Sequence, residues 1–132
     1  MSLQNGVGAA RRSFELLILE ATLQLQKKII ISRLFDSNRA MTTFLFESAT
    51  SVSLREHPDI IISDSWELSD EQRILVRAAL DIWCGSGNVF LWELLNGLSH
   101  QNFSRLILAL ARCRDLKNQV SRFDPAYAEA EV

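Results

Sequence analysis

The chain has 132 residues, 48% of them hydrophobic, with 14 basic and 16 acidic side chains for a net charge of −2. That is the length and apolar content of one compact domain with its own core. The near-balance of charge gives no global attraction to nucleic acid or to an anionic membrane, although it leaves room for a local basic face.

Residues 1–10 hold Gly6 and Gly8 among small and polar residues, which predicts a flexible N-terminal arm. No basic stretch followed by an apolar run occurs there, so no secretory leader is expected. From Phe14 to Phe35 the chain has no proline or glycine and is rich in leucine, glutamine, glutamate and lysine, which predicts one helix of about six turns. At ~100° per residue, Phe14, Leu17, Ile18, Ala21, Leu25 and Ile29 fall on one stripe. A second stripe on the opposite side holds Leu16, Leu19, Leu23, Ile30 and Leu34. Polar wedges separate the two, one of them formed by Glu15, Thr22, Gln26 and Arg33. A helix with two apolar stripes must be covered on both sides, by its own domain or by another chain. The first stripe is the one expected to meet the other long helices. The second, Leu16 to Leu34, is the expected partner interface, closed most simply by a two-fold homodimer. The alternative is that the second helix, through Met41, Phe44 and Leu45, folds back and buries it within the monomer.

Asp36-Ser37-Asn38 predicts a turn and an N-cap. A second helix is expected from Arg39 to about Leu54, bending in the hydroxyl-rich segment SATSVS, with Met41, Phe44, Leu45, Ala49 and Val52 as its buried stripe. Pro58 disfavours helix at His57. The segment 55–67 is expected to be a loop whose Ile60-Ile61-Ile62 triplet plugs into the core. Ser69-Asp70-Glu71-Gln72 is a capping box and the clearest helix start in the chain. The third helix should run to Trp83 with polar residues confined to Arg73, Arg77 and Asp81, which predicts a nearly buried helix stopped by Gly85. A short fourth helix over 89–98 follows. Then comes a fifth, capped by Ser99 and running to about Gln119, with Phe103, Leu106, Ile107, Leu110 and Cys113 facing the core. The expectation is all-α: a compact five-helix bundle over residues 11–122, with a long two-faced first helix and a tail at 123–132.

The chemistry-bearing residues are sparse. His57 and His100 lie in different elements, and no HExxH, Walker, GxSxG or GxGxxG motif occurs. No nucleophile–base pair is in view, so no enzyme activity and no cofactor are expected. Residues 69–95 have the helix–loop–helix outline of a calcium-binding hairpin. A frame with Gly87 as the mid-loop glycine puts Ile82 and Cys84 at the first two ligand positions, and neither offers a hard cation an oxygen. No metal is expected. Cys84 and Cys113 form no CxxC pair, and charges interrupt every apolar stretch short of ~18 residues, so a reduced, cytoplasmic, non-membrane protein is expected.

The reading is therefore a non-catalytic helical protein-interaction module, self-associating through its first helix, with room for a further protein partner. The alternative is a small helix–turn–helix DNA-binding regulator built from residues 91–112. There Gln101, Asn102 and Arg105 would approach base edges, and Arg112 and Lys117 would approach phosphates. Along the fifth helix Arg105, Arg112, Arg114, Lys117 and Arg122 outnumber Asp115. Against this, Glu93 and Asn96 occupy positions before the turn glycine where such motifs place small and apolar residues.

Overall fold

The computed structural model describes residues 3–123, with side chains at Arg11 and over 13–119. It is all-α, with six α-helices rather than five: α1 (Leu3–Leu34), α2 (Arg39–Leu45), α3 (Pro58–Asp64), α4 (Asp70–Cys84), α5 (Leu91–Gly97) and α6 (His100–Phe123). A single turn of 3-10 helix, Ser65–Glu67, links α3 to α4. Among the described residues no strand forms, and Phe46 and Leu54 make only an isolated antiparallel bridge. Of the expected C-terminal tail, Phe123 ends α6 and the remainder lies outside the described residues.

The extra helix is α3, where a loop was expected. His57 is extended with ψ 142°, as Pro58 demands, although the preceding helix has already ended at Leu45. Proline is nevertheless well suited to the first turn of a new helix, where its fixed φ is helical and its missing N–H has no partner to lose. The His57 side chain caps the start by accepting from the Asp59 N–H at 3.2 Å. Ile61 is fully buried, and that burial outweighs the few tenths of a kcal/mol per residue by which β-branched side chains disfavour helix.

The second helix is correspondingly shorter than expected, ending at Leu45 with Phe46 as C-cap. Residues 46–54 instead form a loop wrapped around one side chain of α1. Lys28 is only 4% exposed, and its ammonium donates to the carbonyls of Ser48 (3.1 Å), Ala49 (2.8 Å) and Ser51. It also lies 4.9 Å from the centre of the Phe46 ring. Burial pulls its pKa below the usual lysine value. The three carbonyls and the ring face stand in for the water it has lost.

One apolar cluster draws on every helix: Ile31 and Leu34 of α1, Met41 and Leu45 of α2, Ile61 of α3, Leu75 to Leu80 of α4, Leu94 of α5 and Leu106 of α6. The capping box at the start of α4 is formed as expected, and Gly85 closes that helix in the left-handed region at φ 73°. The expected face of α6 holds at Leu106, Phe103 and Cys113, which are buried or half-buried, and is corrected at two positions. Leu106 and Ala109 are buried, whereas Ile107 and Leu110 are exposed. α6 packs on α1, and α1 also packs on α4.

The two ends of α1 also differ from expectation. The helix begins at Leu3, inside the expected arm, because Leu3, Gln4, Ala9 and Ala10 favour helix and a helix already propagating tolerates a glycine at about 1 kcal/mol. The two stripes exchange roles over much of its length. Ile30 and Leu34, assigned to the partner interface, are buried in the chain's own core beside Ile31 and Phe35. Leu19 and Leu23 are half-buried and Leu16 is exposed. The stripe expected to be core is the open one.

The Lys28 cradle makes a direct prediction. Lys28→Met keeps the stem and removes the donor, leaving carbonyls without their partner, so the variant should lose about 1–3 kcal/mol. Urea denaturation followed by circular dichroism measures it. A midpoint unchanged from wild type would mean that the loop carbonyls find water as readily as they find the ammonium.

Candidate interaction surface

The longest exposed apolar feature runs along α1. Phe14, Ile18, Ala21, Leu25 and Ile29 are spaced four, three, four and four residues apart, close to the turn of the helix itself, so they make one continuous stripe, or seam. Phe14 is 64% exposed, Ile18 51% and Leu25 48%. Leu17, beside the seam, is equally open. Every residue from Ser13 to Ile18 is exposed. Further along, Lys27 donates to the Trp83 carbonyl at 3.0 Å, and the packing on α6 and α4 takes over.

Beside the seam, α1 and α6 enclose an open groove of about 350 Å³ lined by residues that include Gln26, Ile29, Arg33, Arg112 and Asp115. Arg33 and Arg112 form none of the ion pairs found among the described residues. The polar wedge of α1 thus continues across the groove onto α6.

A second exposed apolar patch sits on α5. Phe90, Leu91, Trp92 and Leu95 all stand in solvent, Leu91 at 79%, while Leu94 alone enters the core. So short a helix is held in place by the polar line of α4. Arg77 donates to both carboxylate oxygens of Glu93 at 2.7 and 3.1 Å and to the carbonyls of Gly87 (3.1 Å) and Asn88. The Asp81 carboxylate accepts from the N–H groups of Gly87 (2.7 Å), Asn88 (3.2 Å) and Val89 (3.1 Å). Gly87 lies so close to α4 that a Cβ there would come within 1.7 Å of the Arg77 carbonyl oxygen. The loop outline that suggests a calcium hairpin is therefore a backbone-to-carboxylate clamp. Among the described residues no group of three histidine, cysteine or acidic side chains is placed to hold a metal ion. No helix among them is long and apolar enough to cross a membrane.

α5 and α6 do make a helix–turn–helix outline, joined through Leu98 and Ser99. The residues assigned to DNA all lie on α6. Gln101 is exposed. Asn102 accepts from Arg105 at 3.4 Å, and Arg105 reaches Asp36 at 3.7 Å, so both side chains are engaged within the chain. Arg112 faces the groove with α1. Gln101, Arg105 and Arg112 fall within ~40° of one another around the helix, with Asn102 ~80° and Lys117 ~140° from Arg112.

Two carboxylates secure this half of the molecule. The backbone N–H of Ser99, above all, holds the Glu71 carboxyl below its ordinary value of 4.5, helped by the Ser99 hydroxyl and Asn102 and opposed by burial. Glu93 is held below the same value first by the hydrogen bond from Arg77, against burial, with the Phe90 N–H and the Arg77 charge adding to the lowering. Burial pushes the Cys113 thiol up, partly offset by the charge of Lys27. Comparison with protein-family models, with curated proteins and with solved structures finds no match.

The two lowered carboxyl pKa values set a pH dependence. A carboxyl whose pKa is lower folded than unfolded stabilises the fold fully above the unfolded value of 4.5 and loses that contribution as pH falls below it. Urea midpoints should therefore decline from about pH 5 to pH 3. Glu71→Gln combined with Glu93→Gln should lower stability at pH 7 and flatten the decline. A double variant with the wild-type slope would assign the acid sensitivity to other groups.

Proposed function

We propose that this chain is a helical protein-interaction module that associates with itself through α1, with no cofactor or chemistry of its own. The observation that carries the reading is the open seam from Phe14 to Ile29, whose five side chains all stand exposed beside the α1–α6 groove. The five side chains at these exposures present on the order of 500 Å² of surface per copy. A symmetric pair would bury about 1,000 Å², the size at which specific interfaces begin. One self-complementary patch then closes both copies. The interface so proposed uses the first stripe of the helix. Leu16 flanks it, and Leu19, Leu23, Ile30 and Leu34 support it from the inner side.

Light scattering coupled to size exclusion tests the proposal with Ile18→Glu plus Leu25→Glu. Both positions are exposed in the protomer, so the variant should keep its helicity and melt like a folded chain. Wild type should run as a dimer and the variant as a monomer, with dissociation at least a hundredfold easier. As a contrast, Leu19→Glu plus Leu23→Glu should cost protomer stability, because both side chains are half-buried within the chain. Wild type that stays monomeric at ~100 µM, far above the micromolar range of weak specific complexes, would overturn the proposal.

A further inference from the structure

The charges flanking the seam select one orientation for the pair. This rests on the self-association proposed above and goes on to say how the second copy lies. Glu15, Thr22, Gln26 and Arg33 run along one flank of the seam, and Arg11 lies on the same side of the helix near its start. Glu15 and Arg33 are both exposed, and neither forms an ion pair within the described chain. Asp36 follows the end of α1 with its side chain 81% exposed, 3.7 Å from Arg105. Acid and base thus alternate along the helix: Arg11, Glu15, Arg33, Asp36.

We infer that α1 pairs antiparallel with α1 of a second copy, each Glu15 meeting the partner's Arg33 and Arg112 at the mouth of the α1–α6 groove. In an antiparallel pair of helices the same flank of each faces the other, whereas in a parallel pair opposite flanks meet. A two-fold axis near Leu23 and Gln24 brings Ile18 level with the partner's Ile29, Glu15 level with the partner's Arg33, and Arg11 level with the partner's Asp36. Every flanking pair then joins opposite charges. Arg112 lies across the groove from Arg33, so the partner's Glu15 enters a site with two guanidiniums. Asp115, the one acid of that groove, falls level with the partner's Thr22 and meets no carboxylate. Under parallel pairing the flank of Glu15 would face Leu17 and Gln24, and both arginines would stay unmet. The projecting stretch Ser13 to Ile18 gains the cover it lacks in the single chain, on the α1–α6 seam of its neighbour.

Charge reversal tests the register. At ~50 mM salt, where exposed ion pairs are least screened, Glu15→Arg alone and Arg33→Glu alone should each weaken dimerisation about tenfold. An equimolar mixture of the two variants, or the double variant, should restore most of it, because residues 15 and 33 again carry opposite charges at both ends, with Arg112 adjoining the introduced arginine. Nitroxides on a Cys84→Ser, Cys113→Ala background report the direction independently. A label at Thr22→Cys, beside the axis, should give a short distance of ~10–15 Å, and one at Ser13→Cys a distance of ~30 Å. Short distances from both labels, or single reversals as tight as wild type, would overturn the antiparallel register while leaving self-association in place. Wild type that shows no association would remove the reading on which it rests.

Discussion

A buried ammonium ties the first helix to the loop that follows α2. α1 carries large aliphatic side chains all the way round, so apolar content alone does not choose the side that enters the core. The Lys28 ammonium reaches the carbonyls of Ser48, Ala49 and Ser51 and the ring of Phe46. At that end of the helix Ile31, Leu34 and Phe35 enter the central cluster. Phe14, Ile18 and Leu25, toward the other end, lie outside. A buried lysine is tolerated because every lost water is replaced by an oriented dipole or a π face, and a half-satisfied one would not be. The same contact helps to order the 46–54 loop, whose ends Phe46 and Leu54 pack into the core and pair in an isolated bridge.

What the sequence reveals of this fold follows how local the controlling interaction is. The capping box at Ser69 and Gln72 and the left-handed stop at Gly85 are complete within a few residues, and both were legible. α3 was hidden because its evidence is split. Pro58 argues against helix for the residue before it and for helix after it, while the value of Ile61 depends on a cavity that other helices provide. The facing of α1 was hidden for a different reason. Hydrophobic periodicity ranks stripes by apolar count and treats a lysine as a surface residue. In α6 the small side chain of Ala109 counts for little in such a ranking, yet it permits close approach at the core.

The polar residues of α4 show how a narrow strip can carry most of the long-range order in its half of the chain. Arg73 stacks over Trp66, its guanidinium 4.2 Å from the ring centre, while also pairing with Asp70. Arg77 and Asp81 bind the next loop through carbonyls and N–H groups respectively, so one side chain takes the acceptors and the other the donors of the same segment. α5, with Leu94 as its sole buried side chain, is thereby fixed in direction. Its exposed aromatic and aliphatic face is presented rigidly and not on a loose loop.

The packing of α1 on α6 also bears on how the chain is made. These helices stand at opposite ends of the described sequence, so the cover for the first is synthesised last. At ~5–20 residues per second, translation takes about 5–20 s to pass from the end of α1 to the end of α6. Until α4 is complete at Cys84, Ile30, Ile31 and Leu34 have neither helix to receive them, and α6 comes only at the end of the interval. α4 and α5 can join early through their short clamp, since closing so small a loop takes far less than a second. Closure of α1 onto α6 is the high-separation step, and it is during the wait for it that a nascent chain of this design is most exposed to holdase chaperones and to mispairing with neighbours on the same message.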